Sequence, residues 1–264
     1  MSARTYRFDS GGLSHVGRVR DHNEDRLLVA PDIGVWLVAD GMGGHFGGEV
    51  AAQLIVDHVG TVNHAATAPD LMARFVDRLD RANGAIRDHS VRNDNAMIGA
   101  TVAGLLVHDG GFAAVWCGDS RVYLLRDGQL SQLTRDHTEV QELLDTGAIT
   151  PEEAENWPRK NVITRAVGVR AQPQLDHVYG TLRDRDRFVI CSDGLTGHVD
   201  DHEIAGLLQG STPQAACDAL LDLTLQRGAS DNVTIVVVRC EVKTLVGAPD
   251  AWSAGAKTGP GGLQ

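Results

Sequence analysis

The sequence predicts an α+β fold in which antiparallel β-sheets are layered with helices. Strand-like and helix-like segments come in blocks, without the regular strand–helix alternation that a parallel sheet requires. Asp109-Gly110 and Asp127-Gly128 each separate two apolar runs, and Asp-Gly in that position is a strong hairpin signal. With 264 residues, 42% of them hydrophobic, the chain can bury the core of one large domain or two small ones.

The elements of the first half of the chain follow from the spacing of apolar residues. Residues 27–29 and 35–39 are typical of a pair of strands. Helices are expected at about residues 48–59 and 69–92, because apolar side chains recur there at helical spacing. Between residues 101 and 133 the pattern changes to strands joined by short turns, which predicts an antiparallel meander.

The second half begins with a polar segment, residues 138–160, that we expect to form short helices in a surface flap. Further strands are expected near residues 175–178, 188–191 and 233–240, with helices at about 201–208 and 213–227. The stretch from about Gly247 is rich in Gly, Ala, Pro and Ser, which predicts disorder. We therefore expect one domain, residues 1–244, followed by a disordered tail, residues 245–264.

Composition and charge restrict the class of protein. The net charge is −11 and the isoelectric point about 5.4, which argues against nucleic-acid binding. The four cysteines form no C-x-x-C pair, so we expect buried free thiols in a reducing compartment rather than zinc ligands or disulfides. No apolar stretch has the length of a membrane helix, and residues 1–9 contain no signal-peptide core. These features predict a soluble cytoplasmic protein that does not bind membranes, with a monomer as the default.

Three apolar runs end at an aspartate that lies beside a glycine, and these aspartates are Asp40, Asp119 and Asp193. Short apolar runs are typical of buried strands, so their ends would place several carboxylates at the rim of one core. Crowded carboxylates repel each other unless protons or a cation neutralise them. Hard divalent cations prefer oxygen ligands of this kind. The sequence therefore predicts a metal site.

The competing interpretation is that each aspartate belongs to an ordinary turn. No return strand is apparent after Asp40 or Asp193, where glycine-rich or polar residues lead into helical patterns, and this favours a functional role at those two positions. Asp119 is weaker evidence when taken alone, because Gly118-Asp119-Ser120 could be a plain hairpin turn.

Two further acidic segments join these aspartates, and together the motifs follow a specific order along the chain. The order is Arg20-x-x-Asn23-Glu24-Asp25, Asp40-Gly41-Met42-Gly43-Gly44-His45, Gly99-Ala100-Thr101, Gly118-Asp119-Ser120-Arg121, Asp136-His137, Cys191-Ser192-Asp193-Gly194-Leu195 and Ser230-Asp231-Asn232. Over about residues 12–240 this series resembles the metal-dependent serine/threonine protein phosphatases of type 2C, in their bacterial form. The resemblance implies a four-layer α-β-β-α sandwich, with two antiparallel sheets flanked by helix pairs.

The resemblance also implies a centre of two divalent ions, Mn²⁺ or Mg²⁺, in a cleft at one edge of the sandwich. Asp40 matches the carboxylate that bridges both ions. Glu24 and the Gly41 carbonyl match ligands of one ion. Asp193 and Asp231 match ligands of the other ion.

Four more residues match positions around that centre. Asp119 matches a ligand of a third, weaker ion, and Asp25 matches a carboxylate that orients metal-bound water. Arg20 matches the arginine that binds the phosphate group. His45 matches the candidate general acid for the leaving oxygen, although a histidine in a glycine-rich loop could instead cap the next helix or face solvent.

The reaction that the resemblance implies is hydrolysis of phosphoserine and phosphothreonine in proteins, by a water activated between two divalent ions. No phospho-enzyme is needed. The expected substrates are phosphoproteins, in opposition to a serine/threonine kinase. One alternative is a catalytically weak regulatory or binding module on the same fold. Another is a different two-metal hydrolase such as a nuclease, which the acidic net charge disfavours.

Three other histidines are expected to be structural. His137 follows Asp136 at the start of the flap, where we expect it to anchor the flap base rather than bind metal. His198 and His202 lie four residues apart, but Asp200 and its neighbour are typical of a helix start, which argues against a metal-binding pair.

Overall fold

The computed structural model describes residues 4–43 and 47–244, and all structural statements concern these residues. The strands are β1 (Arg4–His15), β2 (Asp25–Ala30), β3 (Val35–Met42), β4 (Gly99–Ala100), β5 (Val102–His108), β6 (Gly111–Cys117), β7 (Arg121–Arg126), β8 (Gln129–Gln132), β9 (Asp176–Thr181), β10 (Arg187–Cys191) and β11 (Val233–Thr244). The α-helices are α1 (Gly47–Val59), α2 (Ala68–Arg92), α3 (Glu139–Asp145), α4 (Pro151–Glu155), α5 (Asp193–Thr196), α6 (Asp201–Leu208) and α7 (Pro213–Gln226).

The strands form two sheets, and every strand pairing is antiparallel. The first sheet has the order β1-β11-β10-β7-β8. The second sheet has the order β2-β3-β5-β6-β9, and β4 pairs with β3 beside this path. The antiparallel sheets that the sequence predicts are therefore confirmed.

Three apolar layers hold the sheets and helices together. Successive residues of a strand face opposite sides of its sheet. In β3, Trp36 faces the layer between the two sheets, where it joins Phe188 of β10. Leu37 faces the other way and packs with Phe75 of α2 in the layer under α1 and α2. A third layer lies between the first sheet and helices α6 and α7, around Leu220. These layers confirm the four-layer α-β-β-α sandwich.

The predicted single meander is wrong at one point, where the chain changes sheets. β5 and β6 belong to the second sheet, whereas β7 and β8 belong to the first. Gly118-Asp119-Ser120 therefore crosses from one sheet to the other, and the hairpin interpretation of this segment is wrong. The two Asp-Gly hairpins are confirmed, and Asp109 and Asp127 have φ angles of 52° and 53°.

The expectation that a strand ends at Asp40 with no return partner is also wrong. β3 continues to Met42, and Gly41 and Met42 pair with Ala100 and Gly99 of β4. The partner is only two residues long and follows α2, so no local pattern indicates it. Asp193, in contrast, begins the four-residue helix α5.

Three further expectations concern the cysteines, membrane helices and the C-terminal tail. All four cysteines are free and buried, as predicted. Among the described residues, no helix is both long enough and apolar enough to cross a membrane. The predicted tail, residues 245–264, lies outside the described residues, and the domain boundary at residue 244 stays a prediction.

Candidate metal centre

A cleft of about 720 Å³ lies at the end of the sandwich where β3, β6 and β10 end and where β2, β7 and β11 begin. We call it the acidic cleft. Its lining includes every residue that the sequence predicts as a metal ligand, together with the predicted phosphate-binding arginine. These residues are Arg20, Glu24, Asp40, Gly41, Asp119, Asp193 and Asp231. Residues more than 200 positions apart in the chain therefore meet in one cleft.

The charges in this cleft are strongly unbalanced. Among the described residues that line it, six are carboxylates and a single one is an arginine. Asp40 lies at the centre of the group. Desolvation holds the pKa of Asp40 well above its ordinary value, and the charges of Asp25, Asp193, Asp119 and Asp231 raise it further.

Neighbouring carboxyl groups in the cleft show the same effect. Burial, with repulsion from Asp193, raises the pKa of Asp119 to about 7. Desolvation and the charge of Asp231 raise the pKa of Asp193, whose carboxyl group is in hydrogen-bond contact with that of Asp40. Raised pKa values favour protonation within this cluster, and bound cations can take the place of those protons.

Glu24 reaches the cleft because two backbone segments approach each other closely. A Cβ atom on Gly41 would lie 2.2 Å from the Gly48 carbonyl oxygen, and one on Gly48 would lie 2.8 Å from Glu24 Oε1. Glycine at both positions allows the start of α1 to rest on β3. The backbone N–H groups of Glu49 and Gly48 then donate to the Glu24 carboxylate, which opposes the rise in its pKa from desolvation.

Arg20 lies at the mouth of the cleft and pairs with one of the predicted ligands. Its Nη2 is 2.7 Å from Asp231 Oδ2, and the Arg20 side chain is 56% exposed. The hydrogen bond with Asp231 raises the pKa of Arg20, and the charges of Glu24 and Asp193 add to this effect. A half-exposed guanidinium beside the carboxylates can contact an anionic group that enters the cleft.

Asp25 lies behind the cleft and is buried. Ser192 Oγ donates to Asp25 Oδ2 at 2.8 Å, and Ser192 Oγ in turn accepts the Thr234 N–H at 3.0 Å. Burial raises the pKa of Asp25 to about 6. Asp25 Oδ1 is buried and has no hydrogen-bond partner in the part of the chain that the structure describes. A buried oxygen without a partner is costly unless water or an ion contacts it.

Two residues that support the site have roles that the sequence did not predict. Asn232 accepts the Glu24 N–H at 2.8 Å through Oδ1 and donates to the carbonyl oxygens of Val16 and His22. It thereby joins the loop before β2 to the loop before β11. Ser192 holds Asp25 as described above. Both are polar residues between a buried strand and an acidic motif. That position in the sequence could have predicted their supporting role.

Two features of the acidic cleft suit a metal centre: the predicted ligands all line it, and their donor atoms are oxygens. Within residues 4–43 and 47–244, no three His, Cys, Asp or Glu side chains have the arrangement of the ligands around a bound ion. The donor atoms that line the cleft are nevertheless oxygens, which suit Mn²⁺ and Mg²⁺. His45 lies outside the described residues, so its predicted role stays a prediction.

The structural roles expected for the other histidines agree with their surroundings. Gly118 N–H donates to His137 Nδ1, and the ring of His137 is buried at the base of the flap. His198 Nε2 contacts Ser230 Oγ at 3.1 Å. Asp200 is the N-cap of α6 and forms a capping box with Glu203.

Comparison with known proteins identifies the family. The sequence profile described as "Protein phosphatase 2C" matches residues 12–231. The chain belongs to the protein phosphatase 2C family. The serine/threonine protein phosphatase PstP of Mycobacterium tuberculosis is 38% identical over 226 residues, which cover 84% of this chain and 43% of that protein. The chain thus spans less than half the length of that relative.

Solved structures agree with this assignment. PppA, a regulatory component of the T6SS in Pseudomonas aeruginosa, has a TM-score of 0.82 and 40% identity, over 88% of this chain and 97% of that chain. The catalytic domain of PstP in complex with two manganese ions has a TM-score of 0.80 and 36% identity, over 90% of this chain and 100% of that chain. The predicted family is confirmed. The two manganese ions in the PstP structure and the names of these relatives agree with the predicted cofactor and enzyme class.

Proposed function

We propose that this chain hydrolyses phosphoserine and phosphothreonine in proteins, with two divalent ions held in the acidic cleft. The observation that carries the proposal is the composition of that cleft, where six carboxylates share one arginine among the lining residues that the structure describes. Divalent cations are the natural complement of such a cluster. Two Mn²⁺ or Mg²⁺ ions, when bound, supply positive charge for the phosphoryl oxygens and lower the pKa of water towards neutrality.

Each predicted ligand has a place in this proposal. Asp40, at the centre of the cluster, would be shared between the ions. Glu24 and the Gly41 carbonyl would hold one ion, and Asp193 and Asp231 the other. Asp119, which lines the same cleft, would hold a third ion together with Asp193. The supporting observation is that all of them line one cleft.

The chain's own groups then orient the substrate and move protons. Arg20 would bind the phosphoryl group through its planar guanidinium at the mouth of the cleft. Asp25 has a buried Oδ1 without a hydrogen-bond partner among the described residues, which would orient water or accept a proton from it. The predicted role of His45, protonation of the leaving seryl or threonyl oxygen, belongs to the same proposal.

A covalent phosphocysteine has no support in the structure. Cys117, Cys191, Cys217 and Cys240 are all buried, and burial raises the pKa of each thiol to about 12. A thiol with so high a pKa is almost fully protonated at neutral pH and is a poor nucleophile. The buried thiols are therefore not nucleophiles for this reaction, which agrees with the proposed attack by water.

The wider role follows from the relatives rather than from the geometry. Bacterial relatives named as serine/threonine phosphatases or protein phosphatases support phosphoprotein substrates. Opposition to a serine/threonine kinase in signalling is part of our proposal. We extend this to a bacterial cytoplasmic protein that acts as a monomer. The domain that carries the activity is proposed to be residues 1–244, around the matched residues 12–231.

Hydrolysis assays test the activity directly. The purified chain is dialysed against chelator and then assayed with a phosphothreonine peptide and with a bis-aryl phosphodiester, each with and without Mn²⁺. We expect Mn²⁺-dependent release of phosphate from the peptide and little turnover of the diester. Preferred hydrolysis of the diester would indicate a different two-metal hydrolase. Mn²⁺ binding without any turnover would indicate a regulatory or binding module.

A further inference from the structure

The segment that carries Asp119 is held firmly from the side of β3. Thr101 Oγ1 and Ser120 Oγ are 2.7 Å apart and both residues are buried, while Thr101 N–H donates to the Asp40 carbonyl oxygen at 2.8 Å. Gly118 has a φ of +115°, and a Cβ atom there would lie 2.5 Å from Thr101 Cβ. The crossing between the sheets is therefore fixed against the strand of Asp40.

The opposite side of the same segment is held by His137, whose residue exposure is only 6%. His137 Nδ1 accepts the Gly118 N–H at 3.1 Å, and the His137 backbone N–H donates to the Gly118 carbonyl oxygen at 2.9 Å. The imidazole also stacks on the Trp116 ring, with centroids 6.1 Å apart and an angle of 23° between the planes. One side chain thus contacts the residues on the N-terminal side of Asp119.

The other ring nitrogen of His137 connects this contact to β9. Because Nδ1 accepts a hydrogen bond, the neutral ring carries its proton on Nε2, which then donates to Asp176 Oδ2 at 3.0 Å. Arg165 Nη1 lies 3.3 Å from both Asp176 Oδ2 and His137 Nε2, and it donates to the carboxylate because a protonated Nε2 cannot accept it. Burial lowers the pKa of His137, which favours this neutral form.

His137 also lies where the flap leaves and rejoins the sandwich. Thr138, the next residue, is the N-cap of α3 and forms a bridge with Ile163. Thr164 N–H donates to the His137 carbonyl oxygen at 2.8 Å. Both ends of the flap and the Asp119 segment therefore meet at this one residue.

We propose that His137 is a positioning residue that holds Asp119 in the acidic cleft and joins its segment to the base of the flap. The part that concerns metal binding rests on the proposed function. His137 acts through the backbone of Gly118. The competing interpretation is a buried histidine that contributes only to the stability of the fold.

Two conservative substitutions separate the two ring nitrogens. In His137→Asn the amide oxygen can replace Nδ1 and accept the Gly118 N–H, whereas the contact with Asp176 is lost. In His137→Gln the amide can reach Asp176 instead, and the Gly118 N–H loses its acceptor. A merely structural role predicts similar effects of both variants, because both replace the ring and its stacking on Trp116.

The first experiment measures hydrogen exchange by NMR on the full chain, with and without Mg²⁺, which is diamagnetic. We expect exchange at the Gly118 amide to be about tenfold faster in His137→Gln, and to change by less than about threefold in His137→Asn. Equal acceleration in both variants, or in neither, overturns the proposal. This measurement does not depend on activity, so it holds even if the proposed function fails.

The second experiment is a double-mutant cycle with Asp119→Asn, read as the Mn²⁺ concentration for half-maximal turnover. We expect His137→Gln to raise this concentration about five- to tenfold in the wild-type background and by less than about twofold in Asp119→Asn. Additive effects contradict action through Asp119. A wild-type chain without Mn²⁺-dependent turnover would contradict the proposed function instead.

A milder variant covers the case in which His137→Gln does not fold. Asp176→Asn changes the contacts of this side chain with His137 Nε2 and with Arg165 Nη1 but leaves the imidazole itself in place, and Asp176 is 49% exposed in its side chain. We expect the same direction of change in Gly118 exchange, by about two- to threefold. An unchanged exchange rate in Asp176→Asn, in a protein with normal thermal stability, would then overturn the link from β9 through His137 to Asp119.

Discussion

Strand β10 has an aspartate near each end, and the two ends differ in how these charges are balanced. Asp186, just before the strand, receives Nε and Nη2 of Arg126 at 2.8 and 2.7 Å, and it also accepts the Arg183 N–H at 2.7 Å. Asp193, just after the strand, contacts the carboxyl group of Asp40. Clefts of similar size, about 740 and 720 Å³, lie at the two ends.

This comparison separates a structural carboxylate from one that we propose binds metal. Asp186 is buried, but a guanidinium from the same sheet supplies a fixed countercharge. In the acidic cleft, carboxylates outnumber the single arginine by six to one among the described lining residues. Uncompensated burial of like charges is unfavourable for folding. A cluster of this kind indicates that cations from outside the chain complete the site.

The largest effect is expected for Asp40→Asn at the uncompensated end. Because Asp40 is central to the cluster, its loss should abolish metal binding and lower kcat/KM on the order of 10⁴-fold, as for other residues that act as a unit. The thermal stability of the metal-free protein should stay the same or rise, since one repelled carboxylate is removed. Turnover and calorimetric unfolding in the presence of chelator measure these effects.

Asp32→Asn is the matched control for this prediction. Asp32 is exposed in the short turn between β2 and β3, does not line the acidic cleft and has no predicted role. The control should keep activity within about twofold, in line with ordinary surface substitutions. Full activity of Asp40→Asn after dialysis against chelator and return of Mn²⁺ would contradict the metal assignment.

A substitution at the other end of β10, where Arg126 balances Asp186, should lower stability and leave activity nearly unchanged. Asp186→Asn leaves the Arg126 guanidinium without its carboxylate, which we expect to lower the free energy of unfolding by about 2–4 kcal/mol, somewhat below a fully buried pair because Arg126 is 22% exposed. Activity of the folded protein should stay within about twofold. Denaturant unfolding and turnover at low temperature measure the two effects.

Asp127→Asn provides the comparison for Asp186, since Asp127 is 84% exposed and lies 3.7 Å from Arg183. It should change the free energy of unfolding by less than about 0.5 kcal/mol. A large loss of Mn²⁺ affinity in Asp186→Asn would show that the two ends of β10 are not independent.

The third prediction concerns pH. The pKa values of Asp25 and Asp119, about 6 and about 7, lie above the unfolded value of about 3.9, so the folded chain binds more protons than the unfolded chain across this range. The metal-free fold therefore loses stability from these groups as pH rises from about 4 to about 7. Mn²⁺ compensates the charges that remain at high pH.

We expect saturating Mn²⁺ to raise the free energy of unfolding by about 2 kcal/mol more at pH 7.5 than at pH 5.5. Unfolding with and without Mn²⁺ at each pH gives this difference, because groups remote from the cleft titrate in both forms and cancel. An equal or smaller stabilisation at pH 7.5 would count against the cleft as the site of binding.

The smallest effect is expected for Arg20→Ala at the exposed mouth of the cleft. If Arg20 contacts the phosphoryl group equally in the ground state and the transition state, KM should rise about tenfold while kcat changes less than about threefold. Arg18→Ala removes the same charge two residues away, outside the cleft lining, and should leave both constants nearly unchanged. A loss of kcat alone would contradict the assigned role.

Local patterns predicted most of the fold. The second helix was expected at residues 69–92 and is found at Ala68–Arg92, because apolar side chains at helical spacing pack against one sheet. β1 was not predicted, although it pairs with β11 over its whole length. Its stability comes from a partner more than 200 residues away, and no pattern within residues 4–15 indicates that partner.

The candidate site was also predicted only in part. The ordered motifs predicted which residues line the cleft, since each acidic residue lies at or near the end of a buried strand. They could not predict the contacts between motifs, such as the amide of Asn232 that accepts a hydrogen bond from Glu24, 208 positions away. The crossing at Asp119 was missed for a related reason, because a three-residue connection looks the same whether or not it changes sheets.

The most direct test is an anomalous-difference map at the manganese edge, from crystals of this chain grown with Mn²⁺. Our account predicts two strong peaks that flank the Asp40 carboxyl group, one beside Glu24 and the Gly41 carbonyl oxygen, the other beside Asp193 and Asp231. Absence of peaks in this cleft at a Mn²⁺ concentration that supports full turnover, or strong peaks only elsewhere, would contradict it.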